Sequence, residues 1–313
     1  MRLIKPKVEL IKQEPGVEGL FKHMELCART CYKSEDKITE DSAKKFINNV
    51  IIARGHTAML EHGTVYLRYD FKAKEDSNRT AYWLWSKYNG NQYSEAVQAQ
   101  PIPGVPDGFV AITTNYRVLL QNGWFDDLQY LCEPTEYHDK RITVRFICDM
   151  GVAREFCRHR VFSFAQESTR YCNYAKSKFG KECTFIIPCW ANLGEGRYND
   201  GTTLTEFAEQ YVNPSTPEDV LIRNLIGTEL DYFSLLDKGW TAQQARNVLP
   251  LALKTELIMT GTAMQWIEFL KLRCATDAHP QARELAIQLR DRLLLENYID
   301  IDEEGNLQVP KRH

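Results

Sequence analysis

Residues 158 to 170 read RHRVFSFAQESTR. This stretch sets two guanidinium groups around an imidazole at its start, and a serine and a third arginine at its end. Guanidinium forks bind phosphate oxygens in pairs, and the residues between are mostly apolar or neutral, so the stretch predicts an anion-binding pocket and not a solvated basic face. The structural alternative is that its first two arginines pair with nearby carboxylates such as Asp149 and Glu155.

The spacing of the arginines limits the backbone that can carry them. Neighbouring residues of a helix project about 100° apart, so Arg158 and Arg160 cannot both face one ligand from a regular helix. We therefore expect the triplet at a helix end or in a turn. If the chain beyond it is extended, its period of two places Gln166, Ser168 and Arg170 on one side, where a single ligand contacts all three.

Four further blocks of sequence flank this stretch. They are ARTCYKSED (Ala28–Asp36), RGHTAMLEHGTVYLRY (Arg54–Tyr69), QQARNVLPLAL (Gln243–Leu253) and FLKLRCATDAHPQAR (Phe269–Arg283). Together with RHR, seven residues, a serine and an arginine two positions later, these blocks resemble the flavin-dependent thymidylate synthases in content and order. The central motif is specific because it fixes five residues over thirteen positions.

The resemblance implies an enzyme that converts dUMP to dTMP. It implies FAD as the cofactor, methylenetetrahydrofolate as the carbon donor and NADPH as the reductant, with the reduced flavin supplying the hydride. It also implies a cytoplasmic homotetramer whose active sites draw on more than one subunit. The expected partners are the small molecules dUMP and folate, without nucleic acid or membrane.

The functional positions of the family map onto residues of this chain. The resemblance implies FAD contacts by Thr64, Arg158, His159, Arg160, Gln166, Thr262 and Glu268. It implies dUMP contacts by Glu155, Arg158, Gln166, Glu167, Ser168, Arg170, Arg246 and Arg273. It implies catalytic roles for Arg273, Ser168 and His62. The chain departs from the family pattern at Ala165, Thr262 and Glu268, where many members have asparagine.

Composition narrows the class of protein. The net charge of −3 over 313 residues argues against a general nucleic-acid binder, which is normally basic. Nine cysteines without a CxxC pair argue against a disulfide framework or a zinc ribbon, and the six-residue spacing of His56 and His62 does not suit a zincin, so no metal is expected. Apolar runs are too short to span a membrane. An anion- or RNA-binding regulatory module, or another nucleotide-modifying flavoenzyme, remains an alternative.

Hydrophobic periodicity predicts an α+β fold of mixed helices and antiparallel strands, as a single domain over residues 1–313. The predicted helices are Glu18–Ala28, Asp41–Ala53, Pro217–Leu236 and Thr262–Leu272, with short helices before the RHR triplet and at Arg246. The predicted strands are Thr64–Phe71, Ile142–Cys148, Cys183–Ile187 and Lys254–Thr260. Residues 74–137, called the insertion below, interrupt the resemblance, and turn-forming residues predict a loop-rich segment with some helix.

Cysteine catalysis is a competing mechanism for the same reaction. Cys157 and Cys172 lie close to the central motif, and Cys274 follows Arg273. A nucleophilic thiol needs a lowered pKa, which neighbouring arginines can provide. The resemblance instead implies that no protein thiol attacks the nucleotide.

Overall fold

The computed structural model describes residues 1–72, 79–99, 107–198 and 214–310. Helices and mainly antiparallel sheets alternate along these residues, which confirms the predicted α+β class. No described helix is long and apolar enough to cross a membrane.

The strands are β1 Arg2–Ile4, β2 Lys7–Ile11, β3 Thr64–Lys72, β4 Glu95–Ala99, β5 Asp107–Asn115, β6 Arg141–Asp149, β7 Ser163–Gln166, β8 Thr184–Ile186, β9 Gly196–Arg197, β10 Lys254–Thr262, β11 Asp300–Ile301 and β12 Leu307–Gln308. The α-helices are α1 Gly16–Tyr32, α2 Ser42–Phe46, α3 Thr80–Asn89, α4 Tyr116–Asn122, α5 Met150–Phe156, α6 Pro217–Asp237, α7 Ala242–Ala245, α8 Ala263–Arg273 and α9 Pro280–Leu295. A π-helical segment, Ile47–Ile52, continues α2.

A four-stranded antiparallel sheet in the order β2-β6-β10-β7 forms the centre of the molecule. Strand β6 alternates, and its apolar side chains Ile142, Val144, Phe146 and Cys148 enter the core. Strand β10 is covered by neighbours on both edges and is buried almost throughout, as a central strand requires. Helices α5, α8 and α9 pack their apolar sides against this core.

The insertion forms ordered structure next to this sheet. Strands β3, β5 and β4 make a second antiparallel sheet, in that order, and α3 and α4 pack with α1 on a shared apolar core. The expectation of a loop-rich segment is therefore wrong for the described part, because β4 and β5 pair along their lengths. Residues 74–78 and 100–106 of the insertion lie outside the described residues.

The RHR triplet follows directly from the end of α5. The amide of His159 donates to the carbonyl of Phe156 at 3.0 Å, and the amide of Phe162 donates to the carbonyl of His159 at 3.2 Å. The expectation that the triplet lies at a helix end is confirmed. The extended segment that follows ends at Gln166, so the condition under which Gln166, Ser168 and Arg170 would share one side is not met.

One predicted helix differs in detail from the structure, and one observed helix was not predicted separately. The helix predicted over Asp41–Ala53 begins as an α-helix and continues as the π-helical segment. Helix α9 has no separate prediction, although Pro280 occupies the first helical turn that proline favours. Its apolar positions contact the central core, which includes Leu285, Leu289 and Leu293.

We expect Gly261→Ala to destabilise the central sheet. An added Cβ at Gly261 would lie 2.4 Å from the ring of Phe162 and 2.9 Å from the side-chain oxygen of Gln265. Overpacking of this kind typically costs about 1–3 kcal/mol of unfolding free energy, which urea denaturation measures. Gly90→Ala is the control, since its Cβ would meet only the carbonyl of Ser86 at 3.6 Å. Equal unfolding midpoints for the two variants would contradict the prediction.

Candidate functional site

Arg273 ties the end of α8 to the RHR turn. Its Nη1 donates to Glu155 Oε2 at 2.7 Å, its Nη2 donates to the backbone carbonyl of Glu155 at 2.7 Å, and its Nε donates to His159 Nε2 at 3.0 Å. Because Nε2 accepts this bond, the neutral imidazole carries its proton on Nδ1. The structure thus brings together three side chains that the sequence assigns to the ligands.

Electrostatics keep the imidazole of this cluster neutral. Burial, together with the positive charges of Arg273 and Arg158, lowers the pKa of His159 to about 4. The Arg273 side chain is only 12% exposed, so its guanidinium keeps one orientation. The cluster therefore presents a fixed cation next to a neutral imidazole.

Two helix starts at opposite ends of the central sheet create this arrangement. Asp149 caps the start of α5, and its Oδ1 accepts the amide of Val152 at 2.8 Å. Thr262 caps the start of α8, and its side chain forms a reciprocal capping box with Gln265. Eleven residues of helix extend for about 16 Å, so α8 runs back along the sheet and delivers Arg273 to the end of α5.

The two arginines of the triplet are exposed. Glu155 is bound to Arg273, and Asp149 caps α5 and accepts the Gln281 amide at 2.9 Å. The alternative in which these carboxylates neutralise Arg158 and Arg160 is therefore wrong. Within the described ranges, neither arginine has a carboxylate within salt-bridge distance, which leaves both guanidinium groups available to an anion.

A turn, not a strand, carries Ser168. The carbonyl of Ser168 accepts the amides of Tyr171 at 3.1 Å and Cys172 at 2.9 Å, and its amide donates to the carbonyl of Cys31 at 3.0 Å. Gln166 stays in strand β7 and donates to Thr255 Oγ1 at 3.3 Å. Only an extended chain would place Gln166 and Ser168 on one face, and the chain turns at Ser168 instead.

Two arginines from distant positions meet at this turn. Arg246, the residue that ends α7, donates to Thr169 Oγ1 at 3.3 Å. Arg170 follows within the turn, and its guanidinium lies 5.7 Å from the centre of the Tyr171 ring. Both arginine side chains are exposed. The two arginines that the resemblance assigns to the nucleotide phosphate therefore both lie at the Ser168 turn.

Below the turn lies a buried charge network that the sequence motifs did not reveal. Glu167 is 4% exposed, and its Oε2 accepts a bond of 2.8 Å from Lys254. Lys254 also binds Glu256 at 2.7 Å, and Lys33 binds the same Glu256 carboxylate at 2.9 Å. The amide of Glu167 donates to the carbonyl of Glu256 at 2.8 Å. The Glu167 carboxylate thus holds the turn, and its nucleotide contact stays a prediction.

His62 lies deep in the protein. It is 0% exposed, and its Nδ1 is 2.8 Å from Thr260 Oγ1, which is 2.8 Å from Thr143 Oγ1. Thr143 in turn lies 3.1 Å from Nε2 of the buried His23. Burial lowers the pKa of His62 to about 3 and that of His23 to about 4. Because His62 is fully buried, it can contact a ligand directly only if the surrounding residues move. Its catalytic role stays a prediction.

The predicted FAD residues fall into separate places. Arg160 and Thr262 line a cleft of about 660 Å³ between the RHR turn and the insertion. Thr64 lines a smaller cleft of about 200 Å³. Glu268 is exposed and pairs with Lys271 at 2.7 Å. One copy of the chain therefore does not bring all the predicted FAD contacts into a single cleft.

The three cysteines near the motif are poor nucleophiles. Burial raises the pKa of Cys172 to about 12, and it also raises the pKa of Cys157 and Cys274. The competing hypothesis of a thiol activated by neighbouring arginines finds no support here: Arg290 and Arg283 lower the pKa of Cys274, but desolvation outweighs them. In the part of the chain that the structure describes, no three His, Cys, Asp or Glu side chains are grouped as metal ligands.

We expect His23 to make the protein sensitive to acid. Its folded pKa of about 4 lies below its ordinary 6.5, so its contribution is complete above pH 6.5 and is lost as the pH falls towards 4. One such proton gives a slope approaching about 1.4 kcal/mol per pH unit. Urea unfolding between pH 7 and 4.5 should show a shallower loss for His23→Gln than for the unmodified protein. Exposed His279→Gln is the control, and equal slopes for all three proteins would refute the assignment.

Known proteins share this central part of the sequence. A family model described as thymidylate synthase complementing protein matches residues 137–294. The flavin-dependent thymidylate synthase of Synechocystis sp. is 26% identical over 149 residues, which are 48% of this chain and 64% of that protein. That of Geobacter sulfurreducens is 28% identical over 139 residues, which are 44% of this chain and 50% of that protein. The chain thus spans between half and two thirds of the length of these relatives.

A solved structure is similar over most of the chain at low identity. It is the UMP/dUMP methylase PolB from Streptomyces cacaoi bound with 5-Br dUMP, which is 19% identical with a TM-score of 0.40 and covers 94% of this chain and 93% of that one. The family match carries more weight, since it takes in β6, the RHR turn, Arg246 and Arg273 and amounts to about half of the sequence. The chain therefore belongs to the thymidylate synthase complementing protein family.

Proposed function

We propose that this protein is a thymidylate synthase that methylates dUMP to dTMP. FAD is the proposed cofactor, methylenetetrahydrofolate the carbon donor and NADPH the reductant. The convergence of Glu155, His159 and Arg273 at the RHR turn carries the proposal, because it joins separated family positions into one polar cluster. Relatives named flavin-dependent thymidylate synthase support the choice of reaction.

The residues of the chain suit a flavin and a nucleotide. Arg158 and Arg160 are exposed guanidinium groups without carboxylate partners among the described residues, as anion-binding forks need to be. When bound, reduced FAD supplies the hydride that completes the methyl group. The chain itself binds the reactants, orients them and excludes water from them.

Arg273 is the proposed electrostatic catalyst. Its guanidinium is held by Glu155 and His159, so it is oriented before the substrate arrives. A cation at the pyrimidine carbonyls stabilises negative charge as it develops on the ring, and a fixed cation needs no reorganisation during the reaction. Ser168, in the turn above Glu167, lies next to the uracil in this proposal.

The active enzyme is proposed to be a homotetramer. The predicted FAD contacts fall in separate clefts of one chain, with Thr64 apart from Arg160 and Thr262. A site shared between copies places such residues around one cofactor. The soluble enzyme is proposed to work in the cytoplasm on small molecules alone.

The function is tested with the purified protein. Denaturation should release FAD, or added FAD should bind, and incubation with dUMP, methylenetetrahydrofolate and NADPH should produce dTMP. Absence of flavin binding would refute the flavoenzyme. Flavin binding without dTMP formation would favour the other nucleotide-modifying flavoenzyme.

We expect Arg170→Ala to weaken dUMP binding while flavin occupancy is retained. Loss of a hydrogen bond to a charged group costs about 1.5–3 kcal/mol, which corresponds to a dissociation constant about 10- to 100-fold higher. Isothermal titration with dUMP measures the change, and Arg246→Ala should act in the same direction. Arg290→Ala, on the outer face of α9, is the control. Loss of flavin with unchanged dUMP affinity would reverse the assignment.

We expect Arg273→Ala to lower kcat by a larger factor than it weakens dUMP binding. The proposed interaction strengthens as charge develops on the ring, so it contributes more to the transition state than to the bound substrate. Steady-state kinetics and dUMP titration provide the two values. Arg273→Lys retains the charge and should recover part of kcat. Equal losses in kcat and affinity would make Arg273 a binding residue only.

A further inference from the structure

The 660 Å³ cleft has two walls of different origin. One wall belongs to the segment that the family model matches and contains Arg160, Phe162, Ser163, Thr262 and Gln265. The other belongs to the insertion and contains Gln92, Tyr93, Thr113, Asn115, Arg117 and Gln121. Since the family match begins at residue 137, the second wall is a feature of this chain that the match leaves without a role.

Local structure explains why the insertion faces the cleft. Strand β5 alternates, so Val110 and Ile112 enter the core of the second sheet while Thr113 lines the cleft on the opposite face. Asn115 caps α4 by accepting the amide of Val118 at 3.2 Å. Residues 117 and 121 of that helix are four apart, and both line the cleft on one side of α4.

Three guanidinium groups surround this cleft. Arg117 pairs with the carboxylate of Glu61, and Arg141 donates to the carbonyl of Glu61 at 3.1 Å and to Ser163 Oγ at 3.4 Å. Arg160, on the opposite wall, has no carboxylate partner among the described residues. The arrangement suits a ligand with two adjacent negative groups, such as a pyrophosphate.

Two buried polar atoms on the insertion wall have no hydrogen-bond partner in the described structure. They are Thr113 Oγ1, in a residue 5% exposed, and Arg117 Nε. Buried polar groups are nearly always satisfied, so each points to a ligand atom or a water in the cleft. The Thr113 hydroxyl is independent of the arginine pattern and indicates the same wall.

The remaining lining groups select the rest of the ligand. Tyr93 is 64% exposed, and its backbone amide is held by Asn91 Oδ1 at 2.9 Å, so its ring offers a stacking surface on an ordered turn. Glu95 and Asp139 also line the cleft. Carboxylates accept ribose hydroxyls and repel a phosphate on the ribose, which favours an unphosphorylated adenosine.

We propose that the insertion completes a binding site for the ADP half of FAD. Arg160 and Arg117 bind the pyrophosphate from opposite walls, and Tyr93 stacks on the adenine. The proposal rests on the flavin cofactor of the proposed function. It gives the insertion a role in selecting a dinucleotide over FMN, which lacks the adenosine monophosphate part.

The test compares FAD and FMN binding by flavin fluorescence in Tyr93→Ala and in Arg117→Gln. Base stacking on an aromatic ring is worth about 1–3 kcal/mol, so Tyr93→Ala should lower FAD affinity about 5- to 150-fold and leave FMN affinity unchanged, while Arg117→Gln should lower FAD affinity through the lost phosphate contact. Tyr82→Ala is the matched control, because Tyr82 is 51% exposed in the same insertion and does not line the cleft. Because Arg117→Gln leaves Glu61 unpaired, Arg117→Lys and a melting curve separate lost binding from lost folding.

Other outcomes overturn the proposal. Two results for Tyr93→Ala would show that the adenosine does not bind in this cleft. They are unchanged FAD affinity and an equal loss of FAD and FMN affinity. If NADPH affinity falls and FAD affinity does not, the cleft belongs to the nicotinamide dinucleotide. Calorimetry with ADP alone separates this proposal from the function itself. ADP binding that Tyr93→Ala abolishes supports the site even if no dTMP is formed, and dTMP formation with unaltered ADP binding in that variant refutes the site alone.

Discussion

The antiparallel pairing of β6 with β10 is the constraint on which the site depends. The two strands pair over nine residues, with Asp149 opposite Lys254 and Arg141 opposite Thr262. This register places the start of α5 at one end of the sheet and the start of α8 at the other. A helix of the length of α8 then ends beside α5, which is why Arg273 reaches Glu155. A slip of one residue would reverse the faces of both strands and separate these groups.

The same sheet also supports the turn that carries Ser168, through a network of charged side chains. Lys254 projects from β10 and binds the carboxylates of Glu167 and Glu256, and the backbone carbonyl of Glu256 accepts the amide of Glu167. Removing one partner from a buried ion pair lowers the free energy of unfolding because the other charge stays buried and unpaired. The charged groups of the network therefore depend on one another. Its effect is to fix the turn that carries Ser168. The exposed arginines above it therefore stand on a rigid base.

Local features of the sequence were predictable and non-local ones were not. The end of α5 at the RHR triplet follows from residue spacing, and β6 follows from its alternation. The pairing of Arg273 with Glu155 joins residues 118 positions apart, and that of Lys254 with Glu167 joins residues 87 apart. No periodicity encodes such contacts. The pKa values of the cysteines were not predictable for a related reason. Burial raises them, and burial depends on the whole fold.

The two walls of the 660 Å³ cleft are built on different parts of the fold. The wall with Arg160 and Thr262 is built on the central sheet, whose register also fixes Arg273. The opposite wall is built on β5 and α4, which have their own apolar core. Side chains on that second wall can change without disturbing the register that positions Arg273. In the proposed site, substitutions in the insertion would therefore alter the binding of the cofactor and leave the position of Arg273 to the sheet.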